Sequence, residues 1–280
     1  MSFSIVSLNL AGLALSTFFY GIYFVLFFIS MYLLMRRSQT GESIYRTAVF
    51  NSALLLFILI TSHWIMILAR IFLAFQEERN AELFLADSRQ STALAQNTIV
   101  VFCTLIGDSL IIHRLWVVWS GSKLVLIFPV VSLLGLTVDS FVSDYVNWRY
   151  ADVFANPSLK VGAVLTLLTN VYCTALITWR IWAVTRRSMP VGGTNLMHFL
   201  VIWIESTAFH AFWAILFFVL YQAESEFQYI VIEAVPEVVG FVNTLIHTRV
   251  GLGWTSEQMQ MTDSPGGFSA KAKSLAGSEV

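Results

Sequence analysis

Long apolar runs alternate along this chain with short connections that hold most of its charge. The runs are Leu10–Met35, Thr47–Phe75, Thr92–Val118, Lys123–Phe141, Leu159–Val184, Asn195–Tyr221 and Gln228–Thr248. A helix crosses the hydrocarbon core of a bilayer with about 20 residues, so the pattern predicts an all-α, polytopic membrane protein built as a seven-helix bundle. The fourth run is the shortest and carries Asp139 near its end. The first is too long for the core of a signal peptide and has no Lys or Arg before it, so it is expected to stay in the chain as an anchor. Residues 1–9 are then a short N-terminal segment, 10–249 the membrane domain and 250–280 a tail. From Ser256 to Val280 the tail is rich in Ser, Gly and Ala, the composition of a disordered segment.

Composition agrees with this reading. Of the 280 residues, 57% are hydrophobic and only 12% charged, against about 25% charged in soluble domains. Too little polar surface remains to coat a water-soluble globule of this size. The lipid bilayer is therefore the first partner implied, and no nucleic-acid partner is expected.

Where the charges fall sets the expected orientation. Arg36, Arg37, Arg46, Arg114, Lys123, Arg180, Arg186, Arg187 and Arg249 gather at one set of helix ends. The opposite ends hold Arg70, Arg79, Arg89, Arg149 and Lys160, diluted by acids such as Glu77, Glu78, Asp144 and Glu224. Basic connections stay cytosolic, which puts the N-terminus outside and the C-terminus inside. Arg114, Arg180, Arg186 and Arg187 then form a cytosolic interface where a signalling partner would dock. The plasma membrane is expected rather than an internal one.

The stretch GDSLIIHRLWVVW, residues 107–119, sets Asp108 inside an apolar run. Arg114 can extend to the headgroups, and Trp116 and Trp119 suit the interfacial belt. Asp108 has no such reach, and an acid near mid-membrane costs about 2.5–3.5 kcal/mol on insertion scales, so it must face the bundle. At 100° per residue it shares a face with Asn97 and Thr104. Comparable stripes are Ser52, His63 and Arg70; Thr166, Asn170 and Thr174; and Glu233, Glu237 and Thr244. On the sixth run Glu205 sides with His198 and His210 points the other way. Pro236, between the two seventh-run acids, frees the carbonyl of Ile232 and predicts a kink or hydrated gap. The candidates for a ligand pocket or proton relay are thus Asp108, Glu237, Glu233, Glu205, His63, Arg70 and Asn170. The competing reading makes the same residues interhelical hydrogen-bond glue, worth about 0.6 kcal/mol each on average.

Several chemistries are weakened by what is missing. No lysine lies in the seventh run to form a Schiff base, which excludes a retinal pigment. HRL and PEVVGF stand where rhodopsin-like receptors carry their Asp-Arg-Tyr and Asn-Pro-x-x-Tyr signatures. Cys103 and Cys173 both lie within helices, so no disulfide is expected. None of the five histidines is spaced from another at i, i+3 or i, i+4, so no metal site is expected. No cofactor, nucleophile motif or phosphate loop is expected either.

Taken in order, FFYGIYFVLFFISMYLL, GDSLIIHRLWVVW, TNVYCTALITWRIW, the IES of the sixth run and the closing RVGLGWT resemble the large group of functionally uncharacterised seven-helix integral membrane proteins of mushroom-forming basidiomycete fungi. The resemblance spans about residues 10–255 and departs at His113, where members usually carry an aromatic residue. It implies a seven-helix architecture and a membrane location, with no activity and no residue roles. Short outer loops, receptor polarity and inward acids make a receptor-like or sensor-like protein with a small polar pocket and a small-molecule ligand the leading expectation. A small-solute or proton-coupled transporter is the alternative, and a membrane-embedded hydrolase ranks third. No enzyme activity is expected. Tags placed before Met1 and after Val280 should report opposite faces of the membrane, with the tail cytosolic; two tags on one face would mean an even number of spans.

Overall fold

The computed structural model describes residues 4–37, 44–76, 81–86, 90–150, 157–188 and 193–245. Regular structure among them is helical: α1 (Ile5–Arg37), α2 (Ile44–Gln76), α3 (Ala81–Ala86), α4 (Ser91–Val118), α5 (Lys123–Tyr150), α6 (Pro157–Ser188), α7 (Gly193–Gln222) and α8 (Gln228–Glu233). A further helix, α9 (Val235–Leu245), follows. Six helices, α1, α2, α4, α5, α6 and α7, are long and apolar enough to cross a membrane. Of the residues expected to form a seventh span, the described ones make two shorter helices, α8 and α9, separated at Ala234, and neither has the length of the other six. The expected disordered tail and the side chains of Arg186, Arg187 and His198 lie outside the described residues.

The distribution of side chains is that of an integral membrane protein. Leu124 is 80% exposed, Phe72 69% and Phe141 67%, whereas Ser16, His63 and Glu237 are fully enclosed. In water such an apolar exterior would aggregate. In a bilayer lipid covers it, and the polar groups must find partners inside. The helices close on one another to provide that interior. α1 packs on α2, α2 on α4, α4 on α5 and α6, α6 on α5 and α7, and α8 completes the circuit between α7 and α1.

α5 runs to Tyr150, well past Phe141 where the apolar run was expected to end. The helix continues because its polar last turns have partners: the Asn97 amide on α4 donates to Asp144. Pro129 lies within α5 and cannot donate to the carbonyl four residues back. That carbonyl, Val125, instead accepts from the Tyr172 hydroxyl of α6 at 3.3 Å. Between α4 and α5, Gly121 takes φ +79°, a left-handed conformation that glycine adopts at little cost. Its N–H donates to the Trp116 carbonyl and that of Ser120 to Val117, both at 3.0 Å, so the chain reverses with the last carbonyls of α4 satisfied.

Gly240 lets α9 lie directly on α1 and α2. A Cβ there would overlap the end of Ile60 and stand 2.8 Å from the Tyr23 ring, and neither neighbour has room to yield because both are buried. Gly240→Ala should therefore destabilise the protein by about 1–3 kcal/mol, the usual cost of overpacking. Denaturant titration in detergent checks this; unchanged stability would mean that α9 packs more loosely than the geometry indicates.

Candidate functional site

Two polar systems occupy the interior, one on each side of α9. The first is a carboxylate cluster facing α1 and α2. Glu237 accepts a hydrogen bond from the Ser16 hydroxyl at 2.7 Å, and the same oxygen, Oε1, is bonded to His63 Nδ1 at 3.2 Å. Both His63 and Glu237 are 0% exposed. One turn earlier Glu233 sits over Gly12, where the missing side chain leaves room for its carboxylate, and Arg70 faces it electrostatically. Arg70 also donates to the Leu85 carbonyl at 3.0 Å, tying α2 to α3. Within this cluster His63 Nε2, Glu237 Oε2 and Glu233 Oε2 are buried without hydrogen-bond partners among the described residues.

The backbone between the two acids is set by Pro236. α8 ends at Glu233, and the Ala234 N–H turns back to the Ile232 carbonyl, the one that Pro236 leaves without its helical donor. Pro236 then falls in the first turn of α9, where a missing N–H carries little cost. Glu237 occupies that same first turn.

The other sequence candidates are dispersed. Asp108 is buried between α4 and α6, bonded by the Thr166 hydroxyl; its Oδ1 has no partner among the described residues. Asn170 bridges helices by donating to the Thr207 carbonyl of α7 at 3.5 Å. Glu205 stands exposed on α7 and is not brought together with the buried acids. Arg180 is exposed too, its guanidinium 5.5 Å from the centre of the Trp119 ring. Arg114 is half-buried and engaged by other groups.

The second system is a partly open cavity of about 150 Å³ lined by α4, α5, α6, α7, α8 and α9. It occupies the half of the bundle nearest the α5–α6 and α7–α8 connections. Val100, Leu136, Trp213, Phe217, Val235 and Val239 supply much of its apolar wall. His210 also lines it and is only 5% exposed. None of the seven pocket or relay candidates lines this cavity. Sequence reasoning reached its Asn97, Thr104 and Thr166 through the polar stripes but left His210 aside. The angular separation of Glu205 from His210 held the signal, because two residues on opposite faces of one helix cannot both point inward.

Among the described residues no group of three or more His, Cys, Asp or Glu side chains is arranged to hold a metal ion. Compared with protein-family models, with curated proteins and with solved structures, the chain matches none.

The hydrogen bonds of Asp108 and Glu237 generate a direct test. Asp108→Leu strands Thr166, and Glu237→Leu strands Ser16 and His63, so each should destabilise by about 1–3 kcal/mol, the cost of unsatisfied buried groups. Asp108→Asn and Glu237→Gln keep the shape and a hydrogen-bonding oxygen and should stay close to wild type. Unfolding titrations compare the four; Leu variants as stable as wild type would show that these bonds contribute nothing.

Proposed function

We propose that this chain is a receptor-like or sensor-like membrane protein that takes a small molecule into the cavity beside His210. The reading places α8 and α9 together as the seventh span, the N-terminus outside and the tail cytosolic, as the charge bias implies. The cavity half of the bundle then faces outward, and the basic ends with Arg114, Arg180, Arg186 and Arg187 face a cytosolic signalling partner. The plasma membrane and the basidiomycete seven-helix group belong to the same proposal. The observation that carries it is a cavity walled by five of the long or paired helical segments, with a buried imidazole on its surface. Such an apolar, concave site with few polar groups is the usual form of a small-molecule site. Because α8 and α9 form part of the wall while α9 also carries Glu237, a ligand there would act directly on the buried cluster.

That cluster supports a second reading, a proton-coupled transporter, since an enclosed His–Glu pair with unpartnered atoms is a natural place to hold a proton. Transport would appear as pH-dependent flux in reconstituted vesicles, abolished by Glu237→Gln.

The test of the receptor reading is a screen of small organic compounds against the thermal stability of the full chain in nanodiscs. Ligands should raise the melting temperature of wild type and have no such effect on Ala214→Phe, which fills the cavity. A ligand that stabilises both alike would place its site elsewhere.

A further inference from the structure

The polar groups around the cavity can be followed one by one. Thr104 donates to the Val100 carbonyl at 3.0 Å and Ser140 to Leu136 at 2.8 Å, each within its own helix. The Asn97 amide is committed to Asp144, the Thr166 hydroxyl to Asp108 and the Trp213 indole to the Val231 carbonyl. Asp139 and Ser143 are engaged by other protein groups. The hydroxyls have given away their only protons and retain lone pairs, while the Asn97 amide keeps a second N–H. His210 is different: the residue is only 5% exposed, it lines the cavity, and no group among the described residues hydrogen-bonds it. Buried polar groups without a partner are rare in folded proteins, and a bound ligand is one way of satisfying them.

We infer that the cavity binds a small, uncharged, largely apolar molecule with one hydroxyl group, an alcohol or phenol about the size of a substituted benzene ring, held at its hydroxyl by His210. The inference rests on the cavity being the ligand site and adds the chemistry of the ligand. Size follows from the volume: an apolar protein cavity of about 150 Å³ accommodates benzene. A hydroxyl can donate or accept, so it suits a neutral imidazole in either tautomer and can also donate to the lone pairs of Thr104 or Thr166. A carboxylate would meet Asp139 in the same wall. An ammonium would have to draw on a carboxylate that the protein already engages. The rest of the surface, Val100, Leu136, Phe217, Val235 and Val239, offers only apolar contact.

Benzyl alcohol, toluene, benzoate and benzylamine are the probes, titrated into the full chain in nanodiscs, with Ala214→Phe as the blank for partitioning into lipid. Benzyl alcohol and toluene should each bind wild type above the blank. His210→Leu should weaken benzyl alcohol about tenfold, the effect of one unpaired hydroxyl, and leave toluene unchanged. His210→Gln, which restores a donor and an acceptor, should recover part of the loss. Equal weakening of both probes by His210→Leu, or weakening of neither, would overturn the hydroxyl assignment while leaving the cavity as a ligand site. Tighter binding of benzoate or benzylamine than of benzyl alcohol would overturn it as well. If no probe binds wild type more than the blank, both the ligand class and the receptor reading fall.

Discussion

A carboxylate inside hydrocarbon has no water to turn to, and the interior of this protein is organised around that constraint. Glu237 is fully enclosed, and its position is set by a hydroxyl from α1 and an imidazole from α2 on the same oxygen. Removing either helix would leave the acid facing lipid, at a cost of several kcal/mol. The contacts of α9 with α1 and α2 are thus not interchangeable with generic apolar packing. Gly240 and Gly12 serve the same arrangement, one by letting α9 approach and the other by making room for Glu233.

α9 has two unlike faces as a result. Toward α1 and α2 it presents Glu237 and Gly240; toward α4 through α7 it presents Val235, Val238 and Val239, which line the cavity. The break at Ala234 lies between this helix and α8, which closes the circuit onto α1. A displacement of the valine face would shift the acid face with it, because both belong to one three-turn helix. The backbone break, the acid cluster and one wall of the cavity therefore meet on a single short helix.

Lipid-facing surfaces obey the opposite rule. Large apolar side chains stand exposed along α1, α2, α4 and α5, and hydroxyls on α2 and α4 bond carbonyls of their own helices, as Ser62 does to Ile58 and Ser109 to Leu105 at 2.8 and 2.7 Å. Such self-contained bonds let Ser sit anywhere on a membrane helix, so the position of a Ser or Thr in the sequence says little about the interior. An acid cannot bond its own helix carbonyls while ionised, which makes its position informative.

That difference sets what was legible in the sequence. Run length and charge density determined that the protein is helical and lives in a bilayer, since an apolar run of about 20 residues satisfies its own backbone groups in hydrocarbon as a helix, whereas barrel strands are about half that length. The enclosure of Asp108, Glu233, Glu237 and His63 was legible for the same energetic reason. Their partners were not: Ser16, Gly12 and Thr166 are adjacent to the acids only because of how α1 and α6 pack, and no periodicity within one helix encodes its neighbour. Glu205 shows the limit, since a carboxylate at a helix position can be exposed when its surroundings permit, and helical angles give faces relative to one another without saying which face is inside. The same ambiguity hid His210. The cavity could not be read from the chain at all. Its wall draws side chains from α4 through α9, separated by up to 142 positions from Asn97 to Val239, and the cavity exists only once those helices have packed.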